Sequence, residues 1–380
     1  MFLIKLRRIL QYNKIINNLY FICLGLILIL LVFIRFNYVY LLLLITYLIL
    51  LSIVNIRYLL ITIIISIFPL VNLFIRYINY QKISYGDIYI KAQVISVEDK
   101  KNNNKLIVKI KNLKYIIYTE DSFSIGDNIL VKGILIQGDI NHSENLFNYR
   151  TYLQDNNIKG IIEVESINKV NNTFTISKIH EICNKYYDKH FDDLSKGYIK
   201  ALLIGYKNDL DESLQTSIQI VGIGHLFVIS GLHMSVLKIL LEKLLTLIKI
   251  KPNYHFYIIS IFFLLYFIIT RGMISILRVL LIYIFSYLNK RLKLKFSTLD
   301  IYMLTIIILL IINPYYLVSY AFLLTFIIST ALVIINPLLK FKGFIGGLIN
   351  NIIISINSIL ITLPVIININ PTINILSIIS

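Results

Sequence analysis

Histidine and serine are unusual inside apolar sequence, and one stretch, GIGHLFVISGLHMSVL from Gly222 to Leu237, carries His225, Ser230 and His233. Ionisable groups in a lipid-facing segment are expensive, so they normally face a bundle interior or a watery path. On one uninterrupted helix Ser230 and His233 share a face, with His225 on the same side. Gly222, Gly224 and Gly231 allow either close helix contact or a break. The chemistry on offer is contact with phosphate or water. A Ser230–His233 nucleophile and base is rejected, because this spacing is common by chance and no orienting acid or oxyanion hole accompanies it.

Arg271, Ser275 and Arg278 lie in RGMISILR at i, i+4 and i+7, which a helix gathers into one stripe. Guanidinium forks hold phosphate oxygens in pairs, so the stripe suits a passing polyanion. Arg271 equally suits snorkelling to an interface, whereas Arg278 falls deeper in the apolar run. A different pattern occupies Lys105 to Tyr118. There Lys109 and Lys111 interleave with Tyr115 and Tyr118, as charge and stacking rings do in folds that hold single-stranded nucleic acid. Glu98, Asp99, Glu120 and Asp121 dilute that patch. Metal chemistry finds no support: Cys23 and Cys183 are the two cysteines, and no Cys/His ligand spacing occurs. No cofactor motif and no P-loop is present either.

The elements that must position these groups are those of an integral membrane protein. Hydrophobic residues make up 57% of the 380 and charged residues 15%, and mean hydropathy is +0.78; soluble domains carry about a quarter charged residues. Apolar runs at 19–34, 38–54 and 58–75 form an N-terminal membrane segment, residues 1–78. Period-2 alternation with turn glycines then predicts a small all-β domain over 79–178, OB-like in the stretch GDNILVKGIL. An amphipathic helical connector follows over 179–221. A transmembrane core over 222–380 reads as apolar segments near 225–248, 254–270, 273–288, 298–312, 315–335 and 344–363. The net charge of +17 concentrates in short loops. Basic KIKPN, NKRLKLK and LLKFKG fall at every second loop and set a cytoplasmic N-terminus with the β domain outside. The expected fold class is therefore an α-helical polytopic membrane protein with an inserted small extracytoplasmic all-β domain.

HLFVISGLHMSVL resembles the signature of the ComEC-type competence proteins. ALLIGYKNDLDESLQ, from Ala201 to Gln215, is similar to that family's lead-in to the motif. Gly272, Ser275 and Arg278, then Asn313-Pro314 and Phe322, and Thr362-Leu363-Pro364 follow in the family's order. Ser235 stands where a small glycine is usual, and Ala321, Leu323 and Thr325 alter the pattern G-F-Q-L-S. The resemblance implies a plasma-membrane channel that admits single-stranded DNA, with His225, Ser230, His233, Arg271, Ser275 and Arg278 lining the path. Many relatives end in a metallo-β-lactamase-like domain, but no H-x-H-x-D-H cluster occurs here, so no enzymatic activity and no cofactor are expected of this chain. Partners would be a separate ATP-driven DNA translocase, a DNA receptor, further copies of the chain, and a separately encoded nuclease part. The family continues beyond the position of Ser380, which implies a fragment, a split gene or a reduced protein. Two other readings stay open: a transporter of small or lipid-linked molecules on the same scaffold, and an inactive remnant.

Overall fold

The computed structural model describes residues 19–81, 86–98, 104–110, 113–136, 153, 156, 158–206, 209–210, 229, 231–335, 341 and 343–369. The protein is mostly helical with one small barrel. Its helices are α1 (Leu19–Ile34), α2 (Tyr38–Val54) and α3 (Ile56–Gln81), then α4 (Ser177–His190) and α5 (Asp193–Ile204) after the strands. Six more follow: α6 (Gly231–Leu247), α7 (Pro252–Ile269), α8 (Ile274–Leu292), α9 (Thr298–Ile312), α10 (Tyr320–Ile335) and α11 (Gly343–Ile369). Two compact units divide the chain, one holding the residues up to Asn79 and from Arg278 to Ile373, the other Tyr80 to Leu277. The division between the two units falls within α8.

In the first unit the two leading helices coincide with the first two apolar runs. Close packing is visible at Gly25, where a Cβ would sit 2.7 Å from Thr62 Cγ2. Tyr47 donates its hydroxyl to Phe21 O at 2.7 Å, so the half-buried phenol is not left unpaired. Ile56–Asn79 and Pro252–Ile269 are the two helices long and apolar enough to cross a membrane, among the described residues. α3 turns Ile64, Ile67, Phe68 and Phe74 outward, a surface that suits hydrocarbon rather than water. α9 begins with a capping box of Ser297 and Asp300, in which each side chain accepts from the other's backbone N–H.

The second unit contains five strands: β1 (Gly86–Glu98), β2 (Asn104–Ile110), β3 (Leu113–Thr119), β4 (Asp127–Ile136) and β5 (Ile158–Asn172). They close into a barrel in the order β1-β2-β3-β5-β4. β1 serves two neighbours, pairing β4 through Gln93 and β2 from there onward. The bulge between Val94 and Ser96 bends it from one to the other. β3 and β5 close the ring in parallel. Gly133 permits the tightest approach, since a Cβ there would lie 2.0 Å from Glu163 O. Ala92, Val94, Leu106, Val108, Ile117, Ile129 and Val131 fill the interior.

Three helix ends share a device. Ile250 N–H bonds Leu245 O, Gly272 N–H bonds Phe267 O, and Leu294 N–H bonds Asn289 O. These are Schellman turns ending α6, α7 and α8, and each requires a left-handed residue at its corner. Glycine is the usual choice, yet here the corners are Lys249 (φ 60°), Arg271 (φ 56°) and Lys293 (φ 52°).

Candidate functional site

The motif around Ser230 is not one continuous helix. Ile229 lies outside any helix and α6 starts at Gly231. His225 and Ser230 themselves fall outside the described residues. His233 is in the first turn of α6 with an exposed side chain. Ile229 is buried, and its carbonyl accepts a hydrogen bond from Ser275 Oγ at 2.8 Å. A buried backbone carbonyl outside a helix needs a partner when water is excluded, and serine commonly supplies it. Ser275 therefore ties the first turn of α8 to the motif.

Arg271 does not extend the stripe of α8. It occupies the left-handed corner before that helix, and its Nη1 donates to Ser96 Oγ on β1 at 3.2 Å. The structure thus brings Arg271 to the bulged strand of the barrel. Arg278 differs from both. Its side chain is 7% exposed, and Nη1 donates to Thr325 O at 2.9 Å and to Ser329 Oγ at 2.5 Å on α10. The guanidinium carbon lies 5.8 Å from the centre of the Phe326 ring. Nε is buried without a hydrogen-bond partner, and among the described residues no carboxylate pairs with this arginine. One edge of the fork is anchored, and no carboxylate among the described residues offsets the charge.

On the barrel, the stacking expectation for Tyr115 is overturned. The side chain is 7% exposed and belongs to the interior cluster, so neither ring face is open to a base. Tyr118 is outward, 39% exposed, but it borders a recess with Glu120, Asp121 and Glu165. An acidic recess repels phosphate. Lys111 falls outside the described residues. Lys109 is exposed and stands opposite Lys114 in the register of β2 and β3. Both side chains are exposed at this end of the ribbon. Elsewhere cations are spent on acids: Lys105 on Glu98 at 3.1 Å, Lys132 on Glu165 at 2.8 Å and Lys169 on Asp127 at 2.7 Å. Burial raises the Asp127 carboxyl, but hydrogen bonds from Lys169, Asn172 and Ser124 outweigh it and hold the group below its ordinary range.

Two buried polar centres escaped the sequence reading. Lys200 is 1% exposed; its Nζ bonds Asp188 Oδ1 at 2.5 Å, also reaches Asp209, and lies 5.6 Å from the Tyr206 ring centre. The signal was present as a single lysine inside the apolar run YIKALLIG. His180 is also buried, and its Nδ1–H donates to Ile269 O at 2.7 Å, leaving Nε2 unpartnered. Burial first, and then the nearby Arg271 charge, push its pKa down to about 4 against the pull of the Ile269 carbonyl. The ring is neutral at physiological pH. Together the two centres fasten α4 to α5, to the chain at Asp209 and to the end of α7. Among the described residues no group of three or more His, Cys, Asp or Glu side chains could hold a metal ion.

A family model described as Competence protein matches residues 202–380. ComE operon protein 3 of Bacillus subtilis (strain 168) is 25% identical over 198 residues, which is 51% of this chain and 26% of that protein. The chain therefore spans about a quarter of the length of that relative. No solved structure matches.

Proposed function

We propose, from the match of residues 202–380 to the family model described as Competence protein, that the chain acts in DNA uptake as a membrane channel for one DNA strand moving inward. In this reading it is a multi-pass plasma-membrane protein with a cytoplasmic N-terminus. The barrel is extracytoplasmic and of the OB type, a reading supported by its strand order and parallel β3–β5 closure. Its Lys109–Lys114 end, rather than Tyr115, meets the strand. Passage needs no bond-breaking chemistry: fixed donors replace phosphate hydration while bases slide along apolar walls. A separate ATP-driven translocase supplies the energy, a DNA receptor delivers the strand, and a separately encoded nuclease part completes the system.

Arg278 carries the proposal. A buried guanidinium anchored by a carbonyl and a hydroxyl, with its charge unopposed by any carboxylate among the described residues, is what a passing phosphodiester requires. A purely structural arginine would normally be expected to meet an acid. The test measures internalised labelled DNA against membrane-bound protein in a transformable host whose only copy is this chain. Arg278→Leu should abolish uptake at near-parental abundance, and Arg278→Lys should keep only part of it, because lysine retains charge without the fork. Parental uptake by Arg278→Leu and by the His225→Ala, His233→Ala double variant defeats the channel assignment.

A further inference from the structure

The loop joining α8 to α9 is a built surface. Lys290, Arg291, Lys293 and Lys295 alternate there with Leu292, Leu294 and Phe296, and all seven side chains are exposed. The three apolar ones are 60%, 48% and 38% exposed. Asn289 holds the loop in one shape from beneath. Its side-chain amide donates to Phe296 O at 2.9 Å and accepts from Phe296 N–H at 3.0 Å, while its own carbonyl takes the Leu294 N–H at 3.1 Å. The nearest acid in sequence, Asp300, is 1% exposed and committed to the cap of α9. Among the described residues Lys290, Lys293 and Lys295 form no ion pair.

The backbone makes the lysines conspicuous. Lys293 and Lys295 both adopt left-handed conformations, at φ 52° and 61°, where glycine is the low-energy residue. A cation near a helix C-terminus gains from the dipole, which accounts for Lys293. Lys295 lies past the end of α8, beyond the reach of that effect. Lysine at both corners therefore serves something outside the chain.

We propose that this loop is a binding surface for anionic phospholipid, its cations meeting phosphodiester headgroups and Leu292, Leu294 and Phe296 entering the acyl boundary. This rests on the membrane reading above but not on DNA passage. Charge complementarity selects an anionic partner. Exposed apolar side chains between the cations select a lipid surface over nucleic acid, whose phosphates offer nothing for leucine.

The test uses the full chain in nanodiscs of phosphatidylcholine alone or mixed with phosphatidylglycerol, without DNA. Lipid retained after mild release is counted by native mass spectrometry. The parent should retain phosphatidylglycerol preferentially. Lys293→Gly with Lys295→Gly keeps the left-handed backbone and removes two cations. It should lower that preference on the order of tenfold at an unchanged melting temperature. Leu292→Ser with Leu294→Ser should weaken retention too, and Asn289→Ala should do so with every charge in place. Undiminished preference in the double glycine variant overturns the proposal. If that variant instead loses only uptake in cells, the surface belongs to a protein partner and the lipid assignment is again overturned. Failure of the Arg278 experiment leaves the outcome here unaffected, because no DNA is involved.

Discussion

Lys200→Met tests whether α4, α5 and the chain at Asp209 are held by one buried cation. Methionine keeps most of the stem, so the change isolates the ammonium. Removing one partner of a buried ion pair costs about 3–5 kcal/mol when the other is stranded dry. Here the stranded carboxylates are not dry: the Asp188 and Asp209 side chains are 44% and 25% exposed against 1% for the lysine. Water rescues them in part, as it does surface pairs, and the expected loss is about 2–3 kcal/mol. For a cooperative unit of this size that lowers the melting temperature by roughly 4–12 °C. The assay follows a thiol-reactive dye in detergent with Cys23→Ser, so that half-buried Cys183 on α4 reports its own unit. Adding Asp188→Asn and Asp209→Asn should recover much of the loss, since no charge is then left without its partner. A melting temperature within a degree or so of the parent, or a triple variant worse than the single, refutes the account.

On the barrel, Tyr115→Ala should destabilise by about 3–5 kcal/mol, as other aromatic truncations in cores do, whereas Tyr118→Ala should change stability by less than about 1 kcal/mol. Denaturation of the full chain, followed by tyrosine fluorescence, separates them, and equal effects would contradict the inward placement of Tyr115. His180, with a folded pKa near 4 against an ordinary 6.5, binds a proton in the unfolded chain before it does in the folded one. Its contribution is therefore complete above about 6.5 and is lost as pH falls towards about 4. His180→Asn, which cannot titrate, should flatten the pH dependence of melting across that window, and an unchanged slope would rule out His180 as its source.

Much of the helical framework was legible. Apolar runs at 19–34 and 38–54 became α1 and α2 without adjustment, and the segment at 298–312 became α9. Hydropathy is a local property, and a helix satisfies its own backbone, so length and composition suffice to mark one. The strands were visible as a domain for the same reason, since alternation and turn glycines are read over a few residues. Their faces were not. Tyr115, Ile116 and Ile117 are all buried in succession, because β3 meets the barrel interior on one side and Leu153 with Ile158 on the other. A strand covered on both faces loses the period that would have revealed which way Tyr115 points.

The polar contacts were least legible. Ser275 reaches Ile229 O across 46 residues, and Arg271 reaches Ser96 across 175; neither partnership leaves a trace in either local pattern. Residue type and spacing told which groups are expensive in an apolar chain: the histidines of the motif and the arginines that follow it. Only the tertiary structure decided what each is held by. That is a matter of which backbone carbonyls and carboxylates the packed elements deliver within about 3 Å, the range in which a hydrogen bond acts. The fold turned Arg271 to the barrel, set Ser275 on the carbonyl of Ile229, and left Arg278 with a charge that no carboxylate among the described residues answers.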